Sequence, residues 1–188
     1  VFNITTFFGL PAHPFFVHVP IILIPLCGIG AVAMAVSPTV RARYGVLIAG
    51  LTVVAGISTQ FAISSGQGLR DSVPDSAALN QHIQIAESIR PLVLLLFLAI
   101  VAMLWLDRRA ARATAPSAAG NGSDVDTTAR SGTAADGREK TLRLVVAGLA
   151  VVVALGANVR LLQIGHTGAK ATWSKVKIVS GGNADRGH

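Results

Sequence analysis

Two histidines, His13 and His18, stand among prolines and aromatics in Pro11-Ala12-His13-Pro14-Phe15-Phe16-Val17-His18-Val19-Pro20, where a long apolar run begins. Imidazole is the commonest biological metal ligand and is costly to place in hydrocarbon, so the pair marks a candidate metal or cofactor site. Two more imidazoles follow at comparable junctions: His82 opens a third apolar run and His166 closes a fourth. Neutral imidazoles on facing helices are the axial ligands of b-type haem, and imidazole also suits copper and zinc.

Within one helix His13 and His18 are five residues apart, about 140° around the axis, so they do not share one metal unless Pro14 or Pro20 bends the chain. Partners must come from other helices. Counting about 1.5 Å per residue, His13, His82 and His166 each lie roughly 36 Å from the far end of their helices, and His18 roughly 30 Å. Arg90 and Arg160 lie slightly deeper inside spans, where a cation needs a haem propionate, a quinone oxygen, Glu87 or a snorkelling path to the headgroups. Read alone, His13 is an imidazole at a helix entrance; read with His18, His82 and His166, it belongs to a haem or metal centre.

The elements that must position these residues are membrane helices. Of 188 residues 52% are hydrophobic and 13% charged, and the mean hydropathy is +0.59, which places the chain among membrane proteins. The net charge of +7 is dispersed around apolar runs without a basic stripe, which argues against a nucleic-acid partner. The single cysteine, Cys27, excludes an internal disulfide, a Cys-rich metal site and the paired-cysteine attachment of c-type haem. No basic n-region precedes the first apolar run, so a cleavable signal peptide is not expected.

In chain order, residues 1–14 form an interfacial segment with aromatic Phe2, Phe7 and Phe8. Spans follow at Phe15–Val36, Tyr44–Ser64 and His82–Leu106, the last amphipathic at its start and continuously apolar from Pro91. Pro20 and Pro25 are expected to kink the first span. Residues 65–81 read as a water-exposed loop broken by Gly66, Gly68 and Pro74. Residues 107–140 turn to Ala, Gly, Ser, Thr and Asp and read as a flexible cytoplasmic linker. The fourth span with its histidine motif occupies 141–173, and a basic extracytoplasmic tail occupies 174–188.

The expected fold is therefore an all-α bundle of four transmembrane helices. An even number of spans puts His13, His18, His82 and His166 on one side of the membrane. Eight cations (Arg41, Arg43, Arg108, Arg109, Arg112, Arg138, Lys140, Arg143) flank the first and third connections. The positive-inside bias thus places both termini on the outer side. The glycines of the early spans, Gly28, Gly30, Gly50 and Gly56, with Gly165 and Gly168, are expected to make room for a macrocycle.

These motifs resemble a bacterial membrane-domain family of unknown function, numbered 2231. Its pattern is matched by His13-Pro14, His18-Val19-Pro20, His82 at the third helix and Gly165-His166-Thr167-Gly168-Ala169, while Lys170 to Trp173 departs from it. The resemblance covers the four spans and implies a bacterial cytoplasmic-membrane protein whose histidines bind b-type haem.

The reading that follows is a small membrane cytochrome with one or two b-type haems near the outer leaflet, ligated from His13, His18, His82 and His166, with Arg90 and Arg160 toward the propionates. It would pass electrons between a quinone or an extracytoplasmic redox protein and a partner enzyme, as an electron-transfer subunit. Two other readings stand beside it: a cofactor-free accessory subunit of a larger membrane complex, and an outer-face copper or zinc protein. No phosphate loop, nucleophile elbow or His-Glu-x-x-His pair supports a hydrolase.

Overall fold

The computed structural model describes residues 6–7, 10–70, 75–113 and 129–173. A two-residue antiparallel pair, β1 (Thr6–Phe7) with β2 (Leu10–Pro11), precedes five helices. These are α1 (His13–Val36), α2 (Pro38–Arg70), α3 (Ala77–Glu87), α4 (Ile89–Ala113) and α5 (Ala129–Trp173). With α3 and α4 together counted as one span, they provide four helical spans long and apolar enough to cross a membrane. The chain is an all-helical, multi-pass membrane protein.

Helix ends follow local chemistry. Pro14 falls in the first turn of α1, where its missing N–H costs no bond. Pro20 and Pro25 deprive Phe16 and Ile21 of helical donors, yet α1 continues through both. Ser37 separates α1 from α2 and serves both: its N–H donates to the Ala33 carbonyl at 2.9 Å, and its Oγ accepts from Val40 N at 3.3 Å. Arg41 closes the same corner, donating Nη1 to the Met34 carbonyl at 2.7 Å and Nε to Asp107 Oδ2 on α4 at 2.6 Å.

The loop expected over residues 65–81 is shorter, because α2 extends to Arg70 and α3 starts at Ala77. Ser76 caps that start by accepting from Leu79 N at 3.1 Å. The third span is not one continuous helix. Pro91 has no N–H to offer the Glu87 carbonyl, and the chain turns at Ser88, whose Oγ donates to the Ile85 carbonyl at 2.6 Å. The linker is also shorter than 107–140. Residues 107–113 remain in α4, where alanines and arginines are good helix formers, and α5 begins at Ala129; only 114–128 lie outside the described residues. The expected tail, 174–188, lies outside them too, as does the interfacial Phe2.

α1 packs on α2 and α5, α4 packs on the same two, and α3 lies on α5. The core comprises Ile24, Cys27, Ala31 and Met34 from α1, Ile48, Ala55 and Ile63 from α2, Val93, Leu96, Ile100, Met103 and Leu104 from α4, and Ala150, Val153, Ala154 and Ala157 from α5. The α5 set repeats at three- and four-residue steps and is mostly alanine, which lets the neighbouring backbone come close. Between 22% and 39% of each span's most apolar window is buried, and Ile22, Ile29, Val46, Leu144 and Leu162 point outward. An apolar exterior of that extent requires lipid or another apolar surface.

Of the early-span glycines named for a macrocycle, Gly28 and Gly30 lie against side chains. Gly28 faces Asn158 and Ala154, Gly30 faces Ile48, and Gly45 receives Leu104, while Gly50 faces open space. Asn158, an interruption of the fourth span, returns its Nδ2 to the Ala154 carbonyl at 2.8 Å. The hydroxyls of Thr52 and Thr59 likewise donate to the carbonyls of Ile48 and Ala55, at 2.8 and 2.7 Å. Such bonds satisfy polar groups where water is absent.

The bundle has two chemically distinct ends. At one, Arg43 lies over Tyr44 and Arg109 over Trp105, with guanidinium carbons 5.5 and 5.4 Å from the ring centroids, and Arg41 pairs with Asp107. At the other stand the histidines.

Candidate functional site

The site is assembled from α1, α2, α3 and α5. His13, the first residue of α1, is half-buried, and its Nδ1 lies 2.9 Å from the Ala62 carbonyl of α2. A carbonyl only accepts, so Nδ1 carries a proton, and it is Nε2 that has the lone pair in the neutral ring. Ser65 Oγ lies 3.4 Å from the same Nδ1 and donates its own proton to Ala62 at 3.0 Å. The ring rests on Gly66, where an added Cβ would come within 3.0 Å of Cε1 and Nδ1.

His82, in the second turn of α3, repeats the arrangement against α5. Its Nδ1 is 3.3 Å from Thr167 Oγ1, with the Ile164 carbonyl alongside. The Thr167 hydroxyl proton is directed to the carbonyls of Gln163 and Ile164, at 2.9 and 3.1 Å, so its oxygen accepts from His82. His82 therefore also donates through Nδ1. The ring lies on Gly168, where an added Cβ would be 3.1 Å from Cε1. Both rings stand at the same end of the bundle, near the starts of α1 and α3.

The other two histidines do not join this pair. His18 is exposed on another face of α1, with Nδ1 against the Pro14 carbonyl of its own helix, as the 140° separation requires. His166 is exposed in a groove of about 520 Å³ between α3 and α5, lined by Gln81, Ile85, Arg160, Gln163 and Thr167. Thr167 thus touches both the groove and His82.

Arg90 and Arg160 are separated as well. Arg160 lies in the His166 groove, whereas Arg90 lies in a second groove between α2 and α4. Glu87, one of the partners open to Arg90, instead accepts from Gln67 Nε2 at 3.1 Å. The turn at Ser88 removes the helical register that would have set Glu87 beside Arg90.

Ala62, Ser65, Gly66, Thr167 and Gly168 thus orient the imidazoles. Of these, Thr167 and Gly168 lie within the motif already visible around His166, while nothing in the sequence singles out the carbonyl of Ala62. The described residues contain no group of three or more His, Cys, Asp or Glu able to hold a metal. That leaves a structural zinc site, which takes four protein ligands, without its ligand set there. A bis-imidazole site needs two ligands, each anchored through one ring nitrogen, and His13 and His82 are each anchored through Nδ1.

The glycine contacts yield a paired expectation. Gly165→Ala meets nothing within 4 Å and gains helix stability of about 0.5–1 kcal/mol. Gly168→Ala gains the same but presses on the His82 ring, so it should be less stable than Gly165→Ala by about 1 kcal/mol in reversible unfolding from detergent micelles. Equal stability of the two would remove the tight ring contact. Comparison of the chain with protein-family models, with curated proteins and with solved structures finds no match to any of them.

Proposed function

We propose that the chain is a small membrane cytochrome whose b-type haem is held by Nε2 of His13 and of His82. The observation that carries this reading is the shared anchoring of the two imidazoles: each is held through Nδ1 by a neighbouring helix, and the two stand at one end of the bundle. Haem supplies one-electron chemistry in such a site. Ala62 and Thr167 fix the tautomer and ring orientation, and Gly66 and Gly168 permit the rings to lie against backbone.

This reading takes one haem rather than two, since His18 and His166 face apart. Arg160 is the arginine available to a propionate, because its groove shares Thr167 with His82; Arg90 is not. The groove's Gln81, Gln163, Arg160 and His166 can donate to a quinone oxygen, which favours a quinone over a soluble protein as redox partner. Both termini on the outer side, a bacterial cytoplasmic membrane and membership of the family numbered 2231 complete the proposal, on the cation distribution and histidine motifs.

The test is a dithionite-reduced minus oxidised spectrum of the purified protein. A b-type alpha band and Soret shift are expected. A flat difference spectrum from protein made with adequate haem supply would overturn the proposal.

A further inference from the structure

The groove between α2 and α4 is unrelated to the histidine pair, and its chemistry is graded along its length. α2 and α4 run antiparallel, so Gln60 and Arg90 stand together at the histidine end, followed by Ile57, Gly56, Val93 and Leu94, then by Val53, Thr52 and Phe97. The two threonines in its lining, Thr52 and Thr59, turn their hydroxyls to backbone carbonyls. What remains toward the groove is apolar over seven residues, about 10 Å of helix. Gly56 forms the floor, where an added Cβ would meet Val93 Cγ1 at 3.7 Å. The open groove has a volume of about 350 Å³.

Arg90 supplies the sign of the occupant's head. It is exposed, no carboxylate lines the groove, and Glu87 is bonded to Gln67. Its depth is set by charges at the other end of the bundle: Gln60 comes seventeen residues after Arg43, and Arg90 seventeen before Asp107, about 25 Å of helix in each case. In a hydrocarbon core about 30 Å thick, that level lies just inside the opposite headgroup boundary, within reach of lipid phosphates for an arginine side chain. A guanidinium with an adjacent amide donor suits a phosphate, and the channel below them suits an acyl chain.

We propose that this groove is a site for one anionic phospholipid, with its phosphate on Arg90 and Gln60 and one acyl chain along Gly56, Val93 and Phe97. The site stands independently of any haem.

Native mass spectrometry of the full chain, released from micelles containing equal phosphatidylglycerol and phosphatidylcholine of matched chains, tests it. One phosphatidylglycerol should be retained over phosphatidylcholine by about fivefold, the effect of one interfacial cation on an anionic lipid. R90Q, at an exposed position, should bring the ratio close to one. G56L should reduce retention of both lipids, and G50L, on the same helix but facing open space, should leave the ratio unchanged. R160Q controls for general charge by removing the cation of the other groove. Equal retention of the two lipids by the unmodified chain, an unchanged ratio in R90Q, or loss of the preference in R160Q alone would each overturn the site. So would retention of an added uncharged quinone in preference to phosphatidylglycerol.

Discussion

His13→Ala and His82→Ala should each abolish the reduced-minus-oxidised haem spectrum, while His18→Ala and His166→Ala retain it. The difference comes from orientation. His13 and His82 are half-buried and held through Nδ1 by Ala62 and Thr167, whereas His18 and His166 are exposed on other faces. A six-coordinate site cannot lose one of two axial ligands and keep its spectrum. Thr167→Val is a milder member of the series: it removes the acceptor for Nδ1–H with little change of volume and should lower haem occupancy about tenfold or more, as loss of an outer partner commonly does. Circular dichroism and gel filtration of each variant distinguish a lost ligand from a lost fold. Loss of the spectrum in His166→Ala with retention in His82→Ala would move the site into the α3/α5 groove.

Ile100→Ala should be the most destabilising of the simple truncations in α4. Ile100 is 0% exposed and belongs to the cluster joining α1, α2, α4 and α5. Removing three carbons there leaves a cavity, and such changes cost about 2–5 kcal/mol in water-soluble cores. Inside a bilayer the unfolded reference is solvated by lipid tails, so the loss is mainly of close packing, and about 2 kcal/mol is expected. Leu98→Ala, two residues earlier at 50% exposure, exchanges protein for lipid contacts and should stay within about 0.5 kcal/mol. Unfolding by anionic detergent measures both. Equal effects would mean that burial in the bundle does not govern stability.

The four spans were legible because apolar runs of about 20 residues have little other use. The turn at Ser88 was also written in the chain, since Pro91 withholds a donor from Glu87, but the run from Pro91 onward masks it when hydropathy alone is followed. The linker was overestimated for the opposite reason: its alanines and charged residues look like low complexity, although residues 107–113 are strong helix formers continuing an existing helix. In the site, the 140° between His13 and His18 showed that only one of them could join a given partner. It could not show which, because the choice rests on where α2 passes and on a main-chain oxygen, Ala62, that any residue would supply.

The break at Ser88 has a mechanical meaning. α3 carries His82 yet contains no fully buried residue, while α4, immediately beyond the turn, contributes much of the core. The carrier of one imidazole is therefore joined to the scaffold through a turn and held on α5 and by the Gln67–Glu87 and Arg70–Asn80 bonds to α2, with no residue of its own in the buried core. Displacing it disturbs little packing, so its local opening free energy falls below that of the bundle as a whole. Tolerance to movement is concentrated at the histidine end, and the far end, tied across α2 and α4 by Arg41 and Asp107, acts as the fixed base of the lever.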